Sequence, residues 1–118
     1  MIDLDLVEYL VRVASRSNVE ICGYINKSGR VYHLPNRAKD QATSFRVDTA
    51  DIYRSTKEPR FTWFHSHPVS KAWPSNMDID FMLQTRKPHL IIGLFPVPVV
   101  RLYGFEGRRI VEIQKWFV

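Results

Sequence analysis

Two histidines spaced two residues apart and a later aspartate are the side chains of this sequence best suited to bind a metal ion. His65 and His67 stand in the segment Trp-Phe-His-Ser-His-Pro, and Asp78 follows. Catalytic zinc sites use three protein ligands of this kind and leave a fourth position for water. If the chain is extended at the histidines, both face the same side, because side chains alternate along a strand. The pair alone is also typical of ordinary polar residues, so the prediction of a hydrolytic zinc site depends on the full set.

Two further residues could act on a water or substrate at such a site. Glu20 stands in the apolar segment Val-Glu-Ile, where burying an unpaired carboxylate is costly, and beside zinc it could accept the proton of an acidified water. Ser75 precedes Asp78 by three residues, and its hydroxyl could stabilise a developing oxyanion. Each has a structural alternative. Glu20 could lie in water at a sheet edge, and Ser75 with Asp78 resembles a helix capping box.

The other candidate ligands are excluded from the predicted site. Asp80 would point away from Asp78 on a helix, and His33 and His89 have no partner at ligand spacing. Cys22 could be a fourth ligand or a nucleophile. We interpret it instead as a small core residue, because cysteine outside disulfides is commonly buried.

The composition favours one compact domain that spans residues 1–118. No apolar run is long enough to span a membrane, no signal peptide is visible, and the single cysteine is typical of a reducing compartment. We therefore expect a cytoplasmic protein. The net charge is +5, but the basic residues are scattered and no nucleic-acid-binding motif is present, so no nucleic-acid partner is predicted. The oligomeric state stays open.

Hydrophobic periodicity predicts the element order α, β, β, α, β, α, β, β, β. The expected helices and strands are, in turn, helices at 3–15, 48–55 and 75–87 and strands at 19–26, 31–34, 60–65, 89–95, 99–105 and 109–116, with a short extended piece at 45–47 and a loop at 66–74. Because hairpins dominate, we expect an α+β fold with a mixed, largely antiparallel sheet flanked by helices. The proline-rich segment 95–99 either borders a substrate groove or is a plain turn between strands.

Glu20, the His65-x-His67 pair, Ser75 and Asp78 together resemble the JAMM motif of the MPN/JAB metalloprotease family at all five positions. Flanking residues agree with the family as well, namely Cys22-Gly23, Ser66, Pro68, Pro74, Pro35-Asn36-Arg37-Ala38, Phe45-Arg46-Val47-Asp48 and Asp51-Ile52-Tyr53. The resemblance spans residues from about 4 to 105. It is strongest to the compact bacterial and phage type, such as the peptidase domain of phage tail assembly protein K.

The resemblance implies an MPN/JAB (cytidine-deaminase-like) architecture and a zinc-dependent peptidase or isopeptidase. His65, His67 and Asp78 would bind one zinc ion, Glu20 would activate the water and pass its proton to the leaving amine, and Ser75 would stabilise the tetrahedral intermediate. The implied substrate is a protein or peptide in the bacterial or host cytoplasm, such as a phage tail protein. The alternatives are a bacterial peptidase for ubiquitin-like or sulfur-carrier protein tails, a non-catalytic MPN-type scaffold that binds a protein partner, and a small basic binding module.

Overall fold

The computed structural model describes residues 2–48, 50, 52 and 60–118. Its helices and strands in these ranges are α1 (Leu4–Ser15), β1 (Cys22–Asn26), β2 (Val31–Leu34), β3 (Phe61–His67), α2 (Asn76–Thr85), β4 (His89–Gly93), β5 (Val99–Glu106) and β6 (Arg109–Phe117). The helix predicted at 48–55 lies mainly outside the described residues, as do Asp51 and Tyr53. The Asp48 side chain accepts a hydrogen bond from the Ala50 N–H (3.1 Å), as the predicted helix N-cap would.

The six strands form one sheet in the order β2-β1-β3-β4-β5-β6. Only β3 and β4 pair in parallel, and the other neighbours are antiparallel. This confirms the predicted mixed, largely antiparallel sheet and the α+β class. A parallel pair needs a long crossover connection, and here that connection carries α2.

One face of the sheet is covered by α1, whose apolar residues recur at helical spacing. Val7, Leu10 and Ala14 are fully buried and belong to a core with the even-numbered residues of the central strands, including Phe64 and Leu90. Asp3 is the N-cap of this helix, and its carboxylate accepts a hydrogen bond from Leu6 N–H (2.9 Å). The core on this face consists of apolar side chains, so its contribution to the fold is packing.

The opposite face of the same two strands carries the histidines. In the parallel register Trp63 pairs with His89 and His65 pairs with Ile91, and alternation places these residues with His67 on one face. The sequence pattern therefore gives β3 an aromatic and imidazole face that packs toward α2.

Several predicted boundaries were wrong, and two of them matter for the site. The strand predicted at 19–26 begins only at Cys22, so Glu20 precedes it. Ile21 N–H donates instead to the Ser66 hydroxyl (2.9 Å). The strand predicted to end at His65 continues through His67, because β4 supplies backbone partners as far as Gly93.

The remaining boundary differences are smaller. The helix predicted to reach residue 87 ends at Thr85, because Arg86 adopts a left-handed conformation (φ 57°). The strand predicted at 89–95 ends at Gly93, before the prolines. The short extended piece predicted at residues 45–47 is not part of the sheet.

Candidate metal centre

The ligand atoms of His65, His67 and Asp78 form a nearly equilateral triangle. The two Nε2 atoms lie 3.0 Å apart, and Asp78 Oδ2 lies 3.1 Å from each of them. Around a tetrahedral zinc ion with bonds of about 2.0–2.1 Å, neighbouring ligand atoms are roughly 3.3 Å apart. All three residues are buried. The spacing and the donor types therefore fit one small divalent cation.

Glu20 lies beside this triangle. One carboxylate oxygen of Glu20 and one nitrogen each of His65 and His67 all lie within 4.8 Å of one another, so this buried group could hold a metal ion. Glu20 or Asp78 could thus be the third ligand. The shorter distances favour Asp78, whose Oδ2 is close to both nitrogens. With Asp78 as the third ligand, the Glu20 carboxylate would lie next to a bound ion without coordinating it.

The start of α2 fixes the Asp78 carboxylate. Ser75 is the helix N-cap, its Oγ accepts a hydrogen bond from Asp78 N–H (3.1 Å), and Asp78 Oδ2 accepts one from Ser75 N–H (2.9 Å). This reciprocal pair is the capping box considered from the sequence. Capping and ligand geometry are compatible here, because the oxygen that caps the helix also faces both histidines.

A backbone carbonyl orients His67. Its Nδ1–H donates to the Lys71 carbonyl (2.8 Å), so when the ring is neutral, as a metal ligand must be, its lone pair is on Nε2 and directed at the triangle. The Lys71–Ala72 segment reaches this position because it crosses Gly93, where a Cβ atom would lie 2.2 Å from Ala72 N. Glycine at residue 93 is therefore required for the loop that holds His67.

Two rings hold His65. Phe45 stacks on its imidazole with the centroids 4.3 Å apart and an interplanar angle of 26°. On the side away from the triangle, His65 Nδ1 lies 2.6 Å from Nε2 of His89, which is fully buried. The sequence analysis excluded His89 from the ligands because it has no partner at ligand spacing. The structure also leaves it outside the triangle, but the parallel β3–β4 register brings it into contact with His65, 24 positions away.

Hydrogen bonding and burial set the charges of this cluster. Burial by itself raises the pKa of the Asp78 carboxyl, but hydrogen bonds from His65 and His67 outweigh it and hold that pKa far below its usual value. Burial lowers the pKa of His65. For His67, the hydrogen bonds to Asp78 and to the Lys71 carbonyl overcome burial and raise the pKa. Asp78 is thus an anion held among imidazoles, which suits a cation site.

The pKa of Glu20 is shifted in the opposite direction from that of Asp78. Glu20 is 3% exposed, and its Oε1 has no hydrogen-bond partner among the residues that the structure describes. Burial raises its pKa to about 8, although the nearby His67 opposes this. A cation bound at the triangle would favour the ionised form. An unsatisfied buried carboxylate oxygen of this kind indicates a missing positive or donor group.

The main chain around Glu20 is held by residues distant in sequence. Glu20 N–H donates to the Gln41 carbonyl (2.6 Å), and the Glu20 carbonyl accepts from the Asn36 side-chain amide (3.0 Å). The same Asn36 side chain also binds Ser44, Ala38 and Arg46 backbone atoms. Asn36 therefore organises the loop that faces the metal triangle.

Two cavities adjoin the triangle and meet at Ser75, which is exposed. One has a volume of about 450 Å³ and is lined by Glu20 and His67 together with Val69 and Trp73. The other measures about 640 Å³ and is lined by Asp78 among other residues. The cavities therefore adjoin the triangle from two sides, one at His67 and the other at Asp78.

The proline-rich segment 95–99 borders a third cavity. Its volume is about 160 Å³, and it shares Lys71 and Trp73 with the cavity beside Glu20. The segment also connects β4 to β5, so the structure agrees with both alternatives for it.

The structure thus brings together all five residues predicted from the sequence. It leaves His33, which contacts the Tyr9 hydroxyl (3.0 Å), outside the cluster. It adds His89, Phe45 and Asn36 as residues that contact or support the site. Of these, Asn36 and Phe45 carried a sequence signal through the family-like stretch, whereas His89 had none.

Comparison with known proteins identifies the fold. The chain is similar to the solution structure of protein DSY2949 from Desulfitobacterium hafniense, with a TM-score of 0.70, 24% identity, and coverage of 94% of this chain and 87% of the other. It is also similar to a solution structure of a Salinibacter ruber protein, with a TM-score of 0.54, 16% identity, and coverage of 95% and 87%. No protein-family model and no curated protein matches the sequence. At these identities the likeness supports a compact α+β fold with a mixed six-stranded sheet.

No helix among the described residues is long and apolar enough to cross a membrane.

Proposed function

We propose that this protein is a zinc-dependent metallopeptidase of the JAMM type that hydrolyses a peptide or isopeptide bond. The observation that carries the proposal is the triangle of His65, His67 and Asp78 ligand atoms at 3.0–3.1 Å with a buried carboxylate beside it. The order and spacing of the five motif residues support the same assignment, including the MPN/JAB architecture.

The protein's own groups have separate tasks in this reaction. A zinc ion held by the triangle would supply a Lewis acid that polarises a carbonyl and acidifies water. Glu20 would accept the proton of the attacking water and deliver it to the leaving amine. Ser75 Oγ accepts from Asp78 N–H, so its hydroxyl proton can point into the cleft and stabilise the oxyanion.

A protein or peptide is the substrate class that fits the two cavities meeting at Ser75. An extended segment could add its backbone along this groove while its side chains enter the cavities. We propose phage tail proteins as substrates. The competing candidates are ubiquitin-like or sulfur-carrier protein tails, and a purely scaffolding role is the alternative outside catalysis.

The test measures zinc content and peptide cleavage on the purified protein. We expect about one zinc per chain and cleavage of members of an extended peptide library. Glu20→Gln should keep its zinc and lose turnover on the order of 10²–10⁴-fold, as is typical when a general base is removed. Glu106→Gln, at an exposed carboxylate near the β5–β6 turn, is the matched control and should remain fully active.

The possible results separate the alternatives. A native protein without zinc would overturn the metallopeptidase. A protein that binds zinc but cleaves neither the library, nor phage tail proteins, nor ubiquitin-like tails would support the scaffold instead. Full activity in Glu20→Gln would assign the base to another residue.

A further inference from the structure

His89 is the one buried histidine beside the metal triangle that the proposed reaction does not use. It begins β4, is fully buried, and lies among aromatic rings, with Phe45 and Phe81 centroids 5.9 and 5.7 Å from its own. Its Nδ1 has no hydrogen-bond partner among the described residues. A polar ring with an unsatisfied atom in such surroundings is costly, so a plain core position would be better filled by an apolar side chain.

The triangle determines which histidine donates and which accepts in the contact between His65 and His89. His65 Nε2 faces His67 and Asp78, so only its Nδ1 is left to face His89 Nε2, at 2.6 Å. A neutral imidazole that binds a metal through Nε2 carries its proton on Nδ1. That proton needs an acceptor, and His89 Nε2 is at hydrogen-bond distance. His89 would then carry its own proton on Nδ1.

The two histidines of the triangle are therefore held in equivalent ways by different acceptors. The Lys71 carbonyl accepts from His67 Nδ1–H, and His89 supplies the corresponding acceptor for His65. Such partners fix the tautomer and ring orientation of a metal ligand and raise its basicity. The β3–β4 backbone pairing fixes where His89 stands, because its Cα partner Trp63 is two residues before His65.

We propose that His89 is a positioning residue that holds His65 as a metal ligand by accepting a hydrogen bond from its Nδ1–H. This inference rests on the metal site of the proposed function. It does not depend on the reaction performed there. His89 touches neither the ion nor a substrate, and its effect reaches the metal only through His65.

The variants His89→Gln and His89→Leu test the acceptor role. The glutamine amide oxygen can accept from His65 Nδ1–H, whereas leucine fills a similar volume and cannot. We expect His89→Leu to weaken zinc binding on the order of 10–100-fold in competition with a chelator and to change the visible absorption of the cobalt-substituted protein. His89→Gln should recover most of the affinity and the native cobalt spectrum. Trp63→Phe is the control, since it alters the same buried face and also removes a nitrogen that has no hydrogen-bond partner among the described residues.

A measurement on the native protein complements the variants and applies even if His89→Leu does not fold. In the zinc-loaded protein, ¹⁵N-histidine NMR should find the proton of His65 on Nδ1 and that of His89 on Nδ1. An unprotonated His65 Nδ1, or a protonated His89 Nε2, would overturn the proposal.

The outcomes also separate this inference from the proposed function. If the native protein binds no zinc, the metal site and the role of His89 both fail. If native and His89→Leu proteins bind zinc equally with the same cobalt spectrum, only the His89 proposal fails. If glutamine and leucine weaken binding equally, His89 does not act as an acceptor, and the proposal fails in the same way.

Discussion

The two faces of strands β3 and β4 are both buried, yet they are built from opposite kinds of side chain. Facing α1, Phe64, Leu90 and Ile92 pack in an apolar core. Facing α2, His65 and His89 belong to a cluster of buried imidazoles and carboxylates. Alternate residues of each strand point to opposite faces. The same two strands therefore supply the apolar core on one face and the candidate metal site on the other.

The difference lies in what each face needs to be stable. The α1 face lowers the free energy by removing apolar surface from water, and it needs no partner outside the chain. The other face buries polar groups that must be paired, and within the described residues Glu20 Oε1 has no partner. We infer that the α1 face maintains the fold in the absence of metal and that the Glu20 carboxylate beside the other face is satisfied only with a bound cation.

The largest expected effect comes from removing a ligand of the triangle. His67→Ala and Asp78→Ala should each abolish stoichiometric zinc binding, because three protein ligands are the usual minimum for such a site. Asp80→Ala, an exposed aspartate on the same helix as Asp78, is the matched control and should keep about one zinc per chain. Elemental analysis after dialysis measures the difference. Zinc retained in both ligand variants would place the metal elsewhere.

The next effect concerns the apolar face. Leu10 is fully buried in α1, so Leu10→Ala should lower the free energy of unfolding by about 2–5 kcal/mol. Because Leu10 lies on the other side of the sheet from the triangle, the folded variant should still bind zinc in a one-to-one ratio. Urea denaturation and zinc analysis check both parts. If the Leu10→Ala protein is fully folded but has lost its zinc, the two faces are coupled.

The sequence predicted most of the fold because strand alternation and helix capping are local patterns. Alternation in β3 predicted that His65 and His67 share a face, and the Ser75–Asp78 spacing predicted a helix start. The placement of Glu20 was not predictable in the same way, since Glu20 precedes β1 and is held by Asn36 and Gln41 through long-range hydrogen bonds.

The contact of His89 was missed for a related reason. It depends on the parallel register of β3 and β4, and register between distant strands is set by packing of the whole sheet. The spacing of residues along the sequence does not indicate this register. The residues that support a site are therefore harder to predict than the residues that form it, because supporting contacts come from tertiary pairing.

Ser75 tests whether one residue serves both the helix and the cleft. As a cap, Ser75→Ala should cost about 1 kcal/mol of stability; as an oxyanion donor, it should also cost roughly 10²–10³-fold in kcat with zinc content unchanged. Ser75→Asp keeps a good cap but cannot donate a hydrogen bond when ionised. Thermal melts and peptide turnover on both variants separate the roles. A stable and fully active Ser75→Asp would leave Ser75 as a cap alone.

Glu20 predicts a pH dependence of the metal-free protein. Its pKa in the folded chain is raised to about 8 from 4.5, so the folded state binds a proton that the unfolded state has lost. The contribution of Glu20 to stability should therefore be fully present below about pH 4.5 and be lost as the pH rises through 8. Glu20→Gln removes this loss, and near pH 8 the metal-free variant should be more stable than the native protein by on the order of 1–3 kcal/mol.

Denaturation with chelator present, at pH 5 and pH 8, measures this difference. The gap between native and Glu20→Gln proteins should be small at pH 5 and widen at pH 8. Zinc should close the gap, since a cation beside Glu20 favours its ionised form. A gap that does not change with pH would mean that Glu20 is not the group that titrates.

The smallest expected effect is at the loop that orients His67. The Tyr103 hydroxyl donates to the Ala72 carbonyl (2.9 Å), and burial raises the pKa of Tyr103 to about 12, so the phenol stays protonated and able to donate. Tyr103→Phe should cost about 1 kcal/mol of stability. Because Ala72 adjoins Lys71, whose carbonyl accepts from His67, zinc affinity should also fall, by less than the roughly tenfold lower bound for losing a direct partner of a ligand.

The control for this loop is Tyr32→Phe, because Tyr32 lies on β2 and stacks on Tyr24 away from the triangle. Urea denaturation and chelator competition on both variants give the comparison. A fall in zinc affinity in Tyr103→Phe but not in Tyr32→Phe would show that the position of the Lys71 carbonyl is transmitted to the metal through His67. If Tyr103→Phe loses the expected stability but keeps its zinc affinity, Tyr103 has only a structural role. The tautomer of His67 would then not depend on the Tyr103 hydroxyl.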